Sequence, residues 1–571
     1  MKIKISDLIA NFLSKNKINT VPVYQGGAVM NLIDSIGVNK KIKYFVPYHE
    51  QALSMQVDTM ARLDGFAAGF ATSGPGATNL LTGVCSAFYD SIPCFFFTGQ
   101  VGQIHLKKER GVRQLGFQES DIVEIFKPIT KYCKQINNAL EVNYELEKGL
   151  FLAKSGRPGP VLFDIPFNIQ KTIVDTNKLK KFSTKRKKNK ALKNKILKIF
   201  DLILKSKKPL ILVGGGIKRS EQENNFIKFA EKYDLPFVTT WMSQDLCSYQ
   251  HHLYNGSIGK NGHNSANILA SKCDLLICLG QRFAVKNILK NFGSNAKIIA
   301  IDIDKNEIEN GLIKPNVGIK CLLQDFFKII NTSKVNLINT NKAWLNECRL
   351  IKENYFKLKL KNLKKKNFIN AYDFFYQISD LIPKNSILFP DAGANQCWFF
   401  QSFLQKKGQI IINHSGHSPM GHSICAAIGG FYSKNSKNKK LIAFIGDGGF
   451  MMNVQELEYI KNKKIPIKIV VLDNRCLGNT KLGTSIAFKG RTHGNDKKHG
   501  YYPPDIKNIA KGFGFQYFEY LNAGNKVLKK NFSKFLLSNK PSIFRLHLSD
   551  NQNVIEFNHL LDDNKSPKYS I

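Results

Sequence analysis

Three short apolar runs, each ending directly in a glycine-rich turn, constrain the fold of this chain more than any other feature. They read CFFFTGQV (94–101), PLILVGGGIK (209–218) and LIAFIGDGGF (441–450). Runs of this kind are typical of buried strands, and segments with helical spacing lie between them. Alternating strands and helices predict α/β domains with parallel sheets, whose ligands bind at the strand ends where these turns lie.

The chain of 571 residues is too long for a single hydrophobic core, so we expect several domains. Two Lys-rich runs, at 178–195 and 357–367, have the composition of solvated linkers. We therefore predict an α/β protein with three doubly wound parallel-sheet domains, at 1–175, 195–335 and 368–550.

The charge balance is strongly basic, with 84 Lys and Arg against 43 Asp and Glu and a formal net charge of +41. The basic residues are scattered over every region, which indicates a compositional bias and argues against a nucleic-acid partner. Eleven cysteines without a C-x-x-C pair indicate reduced thiols and a cytoplasmic protein. No apolar stretch approaches the ~20 residues of a membrane span, so we expect no membrane partner.

The first residues, MKIKISDLIANFLSKNK, could be mistaken for a signal peptide. Asp7 and Asn11 interrupt their apolar run, however, and the apolar residues keep the spacing of a helix. We predict the first helix of a domain here, with Ser6 as its N-cap.

The turn of the third run carries a carboxylate, Asp447, between Gly446 and Gly448. A buried carboxylate requires a cation or hydrogen-bond donors. Asn474 ends the next apolar strand, so both side chains are expected at the same carboxyl edge of a parallel sheet. With a nearby carbonyl they suit Mg²⁺, and free N–H groups of Gly448 and Gly449 would bind the phosphates that accompany it. A solvent-facing Asp-Gly turn would not explain the matching Asn474.

The first domain contains a second candidate ligand turn. Gly74, Pro75 and Gly76 precede a segment with helical character that begins at Ala77. A purely structural turn needs only one glycine, so a turn that presents backbone N–H groups to a ligand is favoured.

The third-domain motif, Gly446-Asp447-Gly448 followed by Asp473-Asn474, resembles the diphosphate-binding motif of thiamine diphosphate enzymes. Further segments are similar, in the same order, to the acetolactate synthase large-subunit family, and the resemblance spans nearly the whole chain. These segments are YHEQALSMQVDTMAR (48–62), TSGPGATNLLTG (72–83), DSIPCFFFTGQV (90–101), FQESDIV (117–123), SGRPGPVLFDIP (155–166) and IDIDKNEI (301–308).

The resemblance implies a pyrimidine-binding domain at 1–175, a central FAD-binding-like domain at 195–335 and a diphosphate- and magnesium-binding domain at 368–550. It implies thiamine diphosphate and Mg²⁺ as cofactors. In such enzymes the first domain of one subunit faces the third domain of another, so the resemblance implies a homodimer or homotetramer. Whether a regulatory subunit exists is left open.

The resemblance assigns roles around the cofactor. Glu50 would lie opposite N1′ of the aminopyrimidine ring, where a carboxyl with a raised pKa can share a proton and start the chemistry. Met420 would hold the cofactor in its bent shape, and the carbonyl of Ser418 would accept from the 4′-amino group. The family usually has Gly at the position of Ser418, and Thr or Ser where this chain has Pro419.

The resemblance also assigns the metal ligands, namely Asp447, Asn474 and the backbone carbonyl of Cys476. Three residues would line the substrate side: Gln100, Phe117 and Gln118. The remaining positions implied at the cofactor are glycines: Gly74, Gly446, Gly448 and Gly449.

The implied reaction is a carboligation in which a 2-oxo acid, pyruvate by default, loses CO₂ and its two-carbon unit is transferred to an acceptor carbonyl. The default product is acetolactate, a precursor in branched-chain amino acid biosynthesis. The Trp that selects the acceptor in the family is missing from LGNTKLGTSIAFKG (477–490), where Gly483 stands at about that place. This stretch and KKERGVRQLGFQES (107–120) resemble a branch associated with polysaccharide biosynthesis, which leaves a nucleotide-linked keto-sugar as the alternative acceptor. Simple decarboxylation of the 2-oxo acid is a further alternative.

The central glycine run resembles the part that holds FAD in acetolactate synthases, and FAD stays possible. Arg219 stands where a G-x-G-x-x-G pattern has its third glycine, and Ala284, Val285 and Lys286 replace the usual Asp-Asp-Arg. A nicotinamide-linked oxidoreductase using this run is the rival interpretation, but it leaves Asp447 without an explanation.

Three histidines in the Met420 segment, His414, His417 and His422, raise the question of zinc. Their spacing fits no usual structural zinc site, and a zinc site is therefore disfavoured.

Overall fold

The computed structural model describes residues 1–108, 110–184, 192–332, 341–358, 368–521 and 524–557. Of the two runs predicted as linkers, residues 185–191 of 178–195 and residues 359–367 of 357–367 fall outside these ranges.

The N-terminal part of the chain folds around a parallel sheet. Its strands and helices are, in chain order, β1 (Lys2–Lys4), α1 (Ile5–Lys15), β2 (Thr20–Pro22), α2 (Met30–Val38), β3 (Lys43–Phe45), α3 (Glu50–Asp64), β4 (Ala67–Ala71), α4 (Pro75–Thr78), α5 (Leu81–Tyr89), β5 (Cys94–Gln100), α6 (Ile122–Phe126), β6 (Tyr132–Gln135), α7 (Val142–Lys154), β7 (Val161–Pro166), α8 (Phe167–Lys171) and β8 (Ile173–Asp175). The sheet order is β4-β5-β7-β6, and the parallel pair β2-β3 joins it through a bridge between Val23 and Phe70.

The central part contains a six-stranded parallel sheet. Its elements are α9 (Leu192–Lys205), β9 (Pro209–Val213), α10 (Gly216–Arg219), α11 (Glu223–Lys232), β10 (Phe237–Thr239), β11 (Tyr254–Ser257), α12 (Asn264–Lys272), β12 (Leu275–Leu279), β13 (Lys297–Asp302), α13 (Lys305–Glu309), β14 (Val317–Lys320), α14 (Leu323–Thr332) and α15 (Lys342–Tyr355). The strand order is β11-β10-β9-β12-β13-β14, so the chain reverses its winding direction between β9 and β12.

The C-terminal part contains a second six-stranded parallel sheet. Its elements are α16 (Ala371–Ser379), β15 (Ser386–Pro390), α17 (Ala394–Ser402), β16 (Ile410–Ile411), α18 (His422–Tyr432), β17 (Lys440–Gly446), α19 (Asp447–Met452), α20 (Glu456–Asn462), β18 (Lys468–Asp473), α21 (Gly478–Ala487), α22 (Ile506–Gly512), β19 (Gln516–Tyr520), α23 (Asn525–Leu537) and β20 (Ser542–His547). The order β16-β15-β17-β18-β20-β19 puts the switch point between β15 and β17. Ligands of open α/β sheets bind at such a point.

Each of these three sheets is buried on both faces. In β17, Leu441, Ala443 and Ile445 face one core, whereas Ile442 and Phe444 face another. The same alternation occurs in β5 and β9. The predicted fold class, α/β with three doubly wound parallel-sheet domains, is confirmed. The predicted residue boundaries of the domains stay predictions.

The N-terminal segment forms helix α1, which packs in a core of the N-terminal sheet, as expected. This helix begins at Ile5, and Lys4 takes the N-cap position, so the prediction of Ser6 as N-cap is wrong. Ser6 lies inside the helix, where its hydroxyl accepts from Ser35 Oγ at 2.8 Å. Within the described residues, no helix combines the length and the apolar composition required to cross a membrane.

Helices α3 and α18 bring the N-terminal and C-terminal sheets together, and one core contains residues of both. A Cβ built on Gly429 would lie 2.7 Å from the backbone oxygen of Gln56, so the close approach of the two helices requires glycine. Ala52, Met55 and Cys425 pack together in this contact.

Arg62 lies at the centre of a buried polar network beside these helices. Its Nε donates to Asp58 at 2.8 Å and its Nη2 donates to Asp90 at 2.8 Å. Its Nη1 donates to the backbone oxygen of Asn413 at 3.0 Å, and His414 Nε2 lies 2.7 Å from Asp58 Oδ2. Arg62 therefore ties α3 to the segment that precedes α18.

Replacing Arg62 with Met is expected to lower the free energy of unfolding by about 3–5 kcal/mol, because two buried carboxylates lose their cation. Chemical denaturation followed by circular dichroism measures this loss. Arg349→Met is the matched control, since Arg349 pairs with Glu353 at 2.8 Å on the surface. An exposed pair contributes at most about 1 kcal/mol, so equal losses in the two variants would contradict the role of the network.

Candidate active site

Three oxygen-bearing groups meet at the carboxyl edge of β17 and β18. One end of the Asn474 side-chain amide lies 3.2 Å from Asp447 Oδ1 and 2.9 Å from the backbone oxygen of Cys476. With its nitrogen at that end, the amide donates to both oxygens. With its oxygen there, three oxygens converge without a proton between them, which is the arrangement of a cation site. The three predicted metal ligands are thus brought together.

The surroundings of Asp447 disfavour a free carboxylate. Burial, together with the negative charge of Asp473, raises the pKa of Asp447 to about 7. The hydroxyl of Tyr501 donates to Asp447 Oδ2 at 3.0 Å and partly offsets this effect. Asp473 itself is paired with Arg545, whose Nε donates to it at 2.8 Å. A cation beside Asp447 would return its pKa towards the ordinary range.

Two glycines of the turn, Gly448 and Gly449, form a glycine cradle in which any Cβ would clash with a neighbouring group. A Cβ on Gly448 would lie 2.7 Å from Leu477, 3.2 Å from Met420 and 3.3 Å from the hydroxyl of Tyr501. A Cβ on Gly449 would lie 2.5 Å from Asp391 Oδ2. Both glycines lie in the first turn of α19, as the sequence predicted, and Gly446 ends β17.

The segment that carries Met420 is held in place from the neighbouring strand. Asp391, at the end of β15, accepts from the backbone N–H of Gly421 at 2.8 Å and of Ser423 at 2.9 Å. Ser418 has a positive φ of 55°, the left-handed conformation that glycine adopts most easily. This conformation gives a physical reason for the Gly that the family usually has at this position.

Asp391 was missed by the sequence analysis. Burial raises its pKa to about 7, and its two N–H donors partly offset this effect. A sequence pattern could have identified it, because Asp391 directly follows the apolar run of β15 just as Asp447 follows β17.

Glu50 is the first residue of α3 and is buried. The side-chain amide of Asn79 donates to its Oε2 at 3.0 Å. A Cβ on Gly76 would lie 3.2 Å from Glu50 Oε1, so the glycine turn of α4 passes directly beside this carboxyl. The two N-terminal motifs that the sequence singled out therefore form one site.

The three residues predicted on the substrate side lie in different surroundings. Gln100 is fully enclosed, and its amide donates to Asp164 and to the backbone oxygen of Ser120, both at 3.1 Å. Gln118 has a positive φ of 61°, and its backbone oxygen would lie 2.8 Å from a Cβ on Gly74. The side chain of Phe117 is 84% exposed. Gln118 thus lies against the Gly74 turn and Phe117 is exposed beside it in the chain, whereas Gln100 is enclosed by its bonds to Asp164 and Ser120.

The start of α3 touches the C-terminal part of the same chain. Gln51 Nε2 donates to Asn453 Oδ1 at 3.3 Å, and the backbone N–H of Tyr48 donates to Glu456 at 2.9 Å. Among the described residues, no hydrogen bond joins Glu50 to Asp447. The predicted proton-transfer residue and the predicted metal ligand are therefore not linked directly. Asn453 and Glu456 were also missed, although both follow the third apolar run closely.

A cavity of about 210 Å³ opens at the switch point of the central sheet. The turns after β9 and β12 line it, with Gly215, Gly216 and Gly280, and Arg219 and Lys286 contribute cations. Arg219 is partly buried, and its Nε is buried without a hydrogen-bond partner among the described residues. Such an arginine is suited to an anion that enters the cavity.

The three histidines of the Met420 segment do not form a cluster of their own. His414 and His422 lie near Asp58, whereas the ring of His417 stacks on Tyr89 at a centroid distance of 5.9 Å. Asp58 already pairs with Arg62, so a metal ion would have to compete with a buried guanidinium. Asp58, His414 and His422 nevertheless bring three potential ligand atoms within 4.8 Å of one another, so the disfavoured zinc site stays a prediction.

Comparison with known proteins supplies the family. Three family models match the chain: "Thiamine pyrophosphate enzyme, N-terminal TPP binding domain" at residues 3–125, "Thiamine pyrophosphate enzyme, central domain" at 196–328 and "Thiamine pyrophosphate enzyme, C-terminal TPP binding domain" at 391–546.

Curated relatives match over most of their length. The acetolactate synthase large subunit of Lactococcus lactis is 29% identical, over 96% of this chain and 93% of that protein. A protein of Methanocaldococcus jannaschii, named "Probable acetolactate synthase large subunit", is 31% identical over 94% and 90%. Chloroplastic acetolactate synthase 2 of Nicotiana tabacum is 32% identical over 90% and 77%. The chain therefore belongs to the acetolactate synthase large-subunit family of thiamine pyrophosphate enzymes.

Proposed function

We propose that this protein decarboxylates a 2-oxo acid, pyruvate by default, and transfers the two-carbon unit to an acceptor carbonyl to form acetolactate. One observation carries the proposal, namely the convergence of Asp447, Asn474 and Cys476 beside the turn of Gly448 and Gly449, where a Cβ on either glycine would clash with its neighbours. The names of the relatives support this choice of reaction.

Mg²⁺ would be held by Asp447, the side-chain oxygen of Asn474 and the backbone oxygen of Cys476. Their separations of 3.2 and 2.9 Å suit this ion. Neighbouring ligands of an octahedron with bonds of about 2.0–2.1 Å lie about 2.9 Å apart. Gly448 and Gly449 would leave space for the diphosphate beside the ion.

Thiamine diphosphate supplies, when bound, a carbon nucleophile that adds to the 2-oxo acid and accepts the electron pair released with CO₂. Glu50 would hold and move a proton at its carboxyl, opposite the pyrimidine ring. The amide of Asn79 fixes the orientation of that carboxyl. Met420 would orient the cofactor by packing, with the Ser418 carbonyl as acceptor, and Asp391 holds the backbone just after Met420.

The substrate is proposed to lie beside Phe117 and Gln118, next to the Gly74 turn. Gln100 would support this side from behind, because its amide holds Ser120.

A second copy of the chain is proposed to complete each site, in a homodimer or a larger homo-oligomer. Apolar side chains near Glu50 are exposed, with Val46 at 44% and Tyr48 at 47%, as is Phe117 at 84%. A facing C-terminal domain from a second copy would cover them and bring its Asp447 to Glu50.

A reducing, cytoplasmic location is proposed as well. All eleven cysteines are free, and ten are buried. Burial, with smaller contributions from nearby acids, raises the pKa of Cys273 and of Cys321 to about 12, so these thiols stay protonated. The proposal includes no nucleic-acid or membrane partner.

Purified protein with thiamine diphosphate, Mg²⁺ and pyruvate is expected to release CO₂ and to form acetolactate in equal amounts. Isotope-labelled pyruvate and product chromatography measure both. CO₂ release that accelerates only with a nucleotide-linked keto-sugar would assign the alternative acceptor, and acetaldehyde alone would assign a simple decarboxylase. Absence of cofactor-dependent CO₂ release from any 2-oxo acid would refute the proposal.

Glu50→Gln is expected to lower kcat by about 10²–10⁴-fold, because the amide cannot move a proton. The affinity for thiamine diphosphate, measured by calorimetry, should stay nearly unchanged. Glu141→Gln is the control, since Glu141 pairs with Lys180 at the surface of the same part of the chain. Unchanged turnover in Glu50→Gln would refute the proton role.

If sites are shared between two chains, mixing Glu50→Gln with Asp447→Ala chains should restore part of the activity.

FAD is proposed as the occupant of the central cavity. The unpartnered Arg219 would bind its diphosphate, and the glycine turns after β9 and β12 would let the dinucleotide approach the backbone. Lys286, which stands where the family usually has Arg, lies 4.8 Å above the ring of Trp241 at the cavity wall.

The purified protein is expected to carry, or to take up, a chromophore with flavin absorption that is released on denaturation. Arg219→Ala should weaken FAD binding at least about tenfold, because hydrogen bonds to charged groups contribute about 1.5–3 kcal/mol. Lys228→Ala, on the exposed face of α11, is the control. A wild-type protein that binds no FAD in a fluorescence titration would refute this assignment.

A further inference from the structure

The two oxygens of the Asp447 carboxylate have different neighbours. Oδ1 faces the Asn474 amide at 3.2 Å, whereas Oδ2 accepts from the hydroxyl of Tyr501 at 3.0 Å. Tyr501 lies far along the chain from the turn that carries Asp447, and neither the motifs nor the family resemblance singled it out. Its hydroxyl also lies beside the cradle of Gly448.

Tyr501 ends a loop, residues 488–501, that is attached to the same edge of the sheet. The backbone N–H of Leu477 donates to the oxygen of Asn495 at 2.9 Å. Asp496 forms an isolated antiparallel bridge with Cys476, whose carbonyl is a proposed metal ligand. The loop thus touches two of the three proposed ligand residues, Asp447 through a side chain and Cys476 through the backbone.

The end of the loop is shaped to return Tyr501 to the site. Gly500 has a positive φ of 94°, in the left-handed region, and the backbone N–H of Tyr501 donates to the oxygen of Asp496 at 2.9 Å. Thr492 and His499 also bond the side chain of Asp496, at 3.0 and 2.7 Å. Tyr501 is half-buried, whereas the next residue, Tyr502, is 77% exposed.

We propose that Tyr501 is a positioning residue for the metal site: its hydroxyl holds Oδ2 of Asp447 so that Oδ1 points at Asn474 and the carbonyl of Cys476. The proposal rests on the proposed function, since it presupposes the cation site. A hydrogen bond from an outer residue fixes the rotation of a ligating carboxylate, and loss of such a bond typically weakens metal binding about 10–100-fold.

A second consequence concerns the loop. Because the hydroxyl and the cation act on the same carboxylate, cation binding should stabilise the Tyr501 contact and with it the loop. By linkage, an ordered loop should strengthen cation binding by the same factor by which the bound cation favours the ordered loop. The loop overlaps the end of the stretch 477–490, where the family resemblance implies acceptor selection, so metal binding would help to order the acceptor side.

The test compares Tyr501→Phe with the adjacent control Tyr502→Phe, using Mn²⁺ as the probe ion. Mn²⁺ binds the same kinds of oxygen ligand as Mg²⁺, and paramagnetic resonance of the free ion measures its dissociation constant in the presence of thiamine diphosphate. Tyr501→Phe is expected to weaken Mn²⁺ binding about tenfold or more. The Mg²⁺ concentration for half-maximal activity should rise equally. Tyr502→Phe should bind as the wild type does.

Hydrogen exchange with mass spectrometry supplies a readout that does not depend on activity. Mg²⁺ with thiamine diphosphate should slow exchange in peptides covering 488–501 of the wild type, and this protection should be lost in Tyr501→Phe. Unchanged exchange in the peptides of β17 and β18 shows that the variant is folded. Wild-type Mn²⁺ affinity in Tyr501→Phe overturns the inference, and so does loop protection that survives in this variant.

Asp447→Ala separates this inference from the proposed function. If Asp447→Ala weakens Mn²⁺ binding but Tyr501→Phe does not, the cation site stands and only the role of Tyr501 is refuted. If Asp447→Ala leaves Mn²⁺ affinity unchanged, the cation site itself is refuted together with this inference.

Discussion

The compensation of buried carboxylates at the ends of parallel strands is the constraint on which the rest of the site depends. Strands buried on both faces deliver Asp391 and Asp447 to a place with little water, and burial raises the pKa of each to about 7. Each acid therefore needs donors or a cation. The donors that Asp391 has found are backbone N–H groups, and through them it fixes the segment of Met420. Asp447 has the hydroxyl of Tyr501 and faces the amide of Asn474, which leaves one oxygen for an ion.

Close backbone approach is the second requirement, and glycine meets it at the functional turns. A side chain at Gly448 or Gly449 would fill the space between the β17 turn and its neighbours, and one at Gly74 would meet the backbone of Gln118. Glycine is required for the same reason between the N-terminal and C-terminal parts, where Gly429 lets α18 approach α3. That contact and the Arg62 network set the N-terminal sheet against the C-terminal one. The geometry of the site thus depends on the packing of α3, which begins at Glu50, against α18, which follows the Met420 segment.

Each of the three sheets presents a different set of groups. The C-terminal sheet presents the oxygen ligands and the glycine cradle, the N-terminal sheet presents Glu50 on the first turn of α3, and the central sheet opens a cavity lined by cations. All three use the carboxyl ends of parallel strands, which is where the loops of open α/β sheets converge. Gln118 lies against the Gly74 turn that follows β4, and the 488–501 loop is bridged to Cys476 just after β18.

The sequence by itself determined the fold class and the chemistry of the main motifs, because strand runs, glycine turns and the Asp447–Asn474 pair are local signals. The tertiary structure alone decided which distant groups complete the site. Asp391 follows a buried strand as Asp447 does, but this pattern does not show that it holds the Met420 segment. Nothing in the chain order ties Asn79 to Glu50 or Tyr501 to Asp447, since hydrogen bonds between separate loops depend on packing. It also decided that Gln100 is enclosed and that Ser6 lies inside its helix, because tertiary contacts override local propensity.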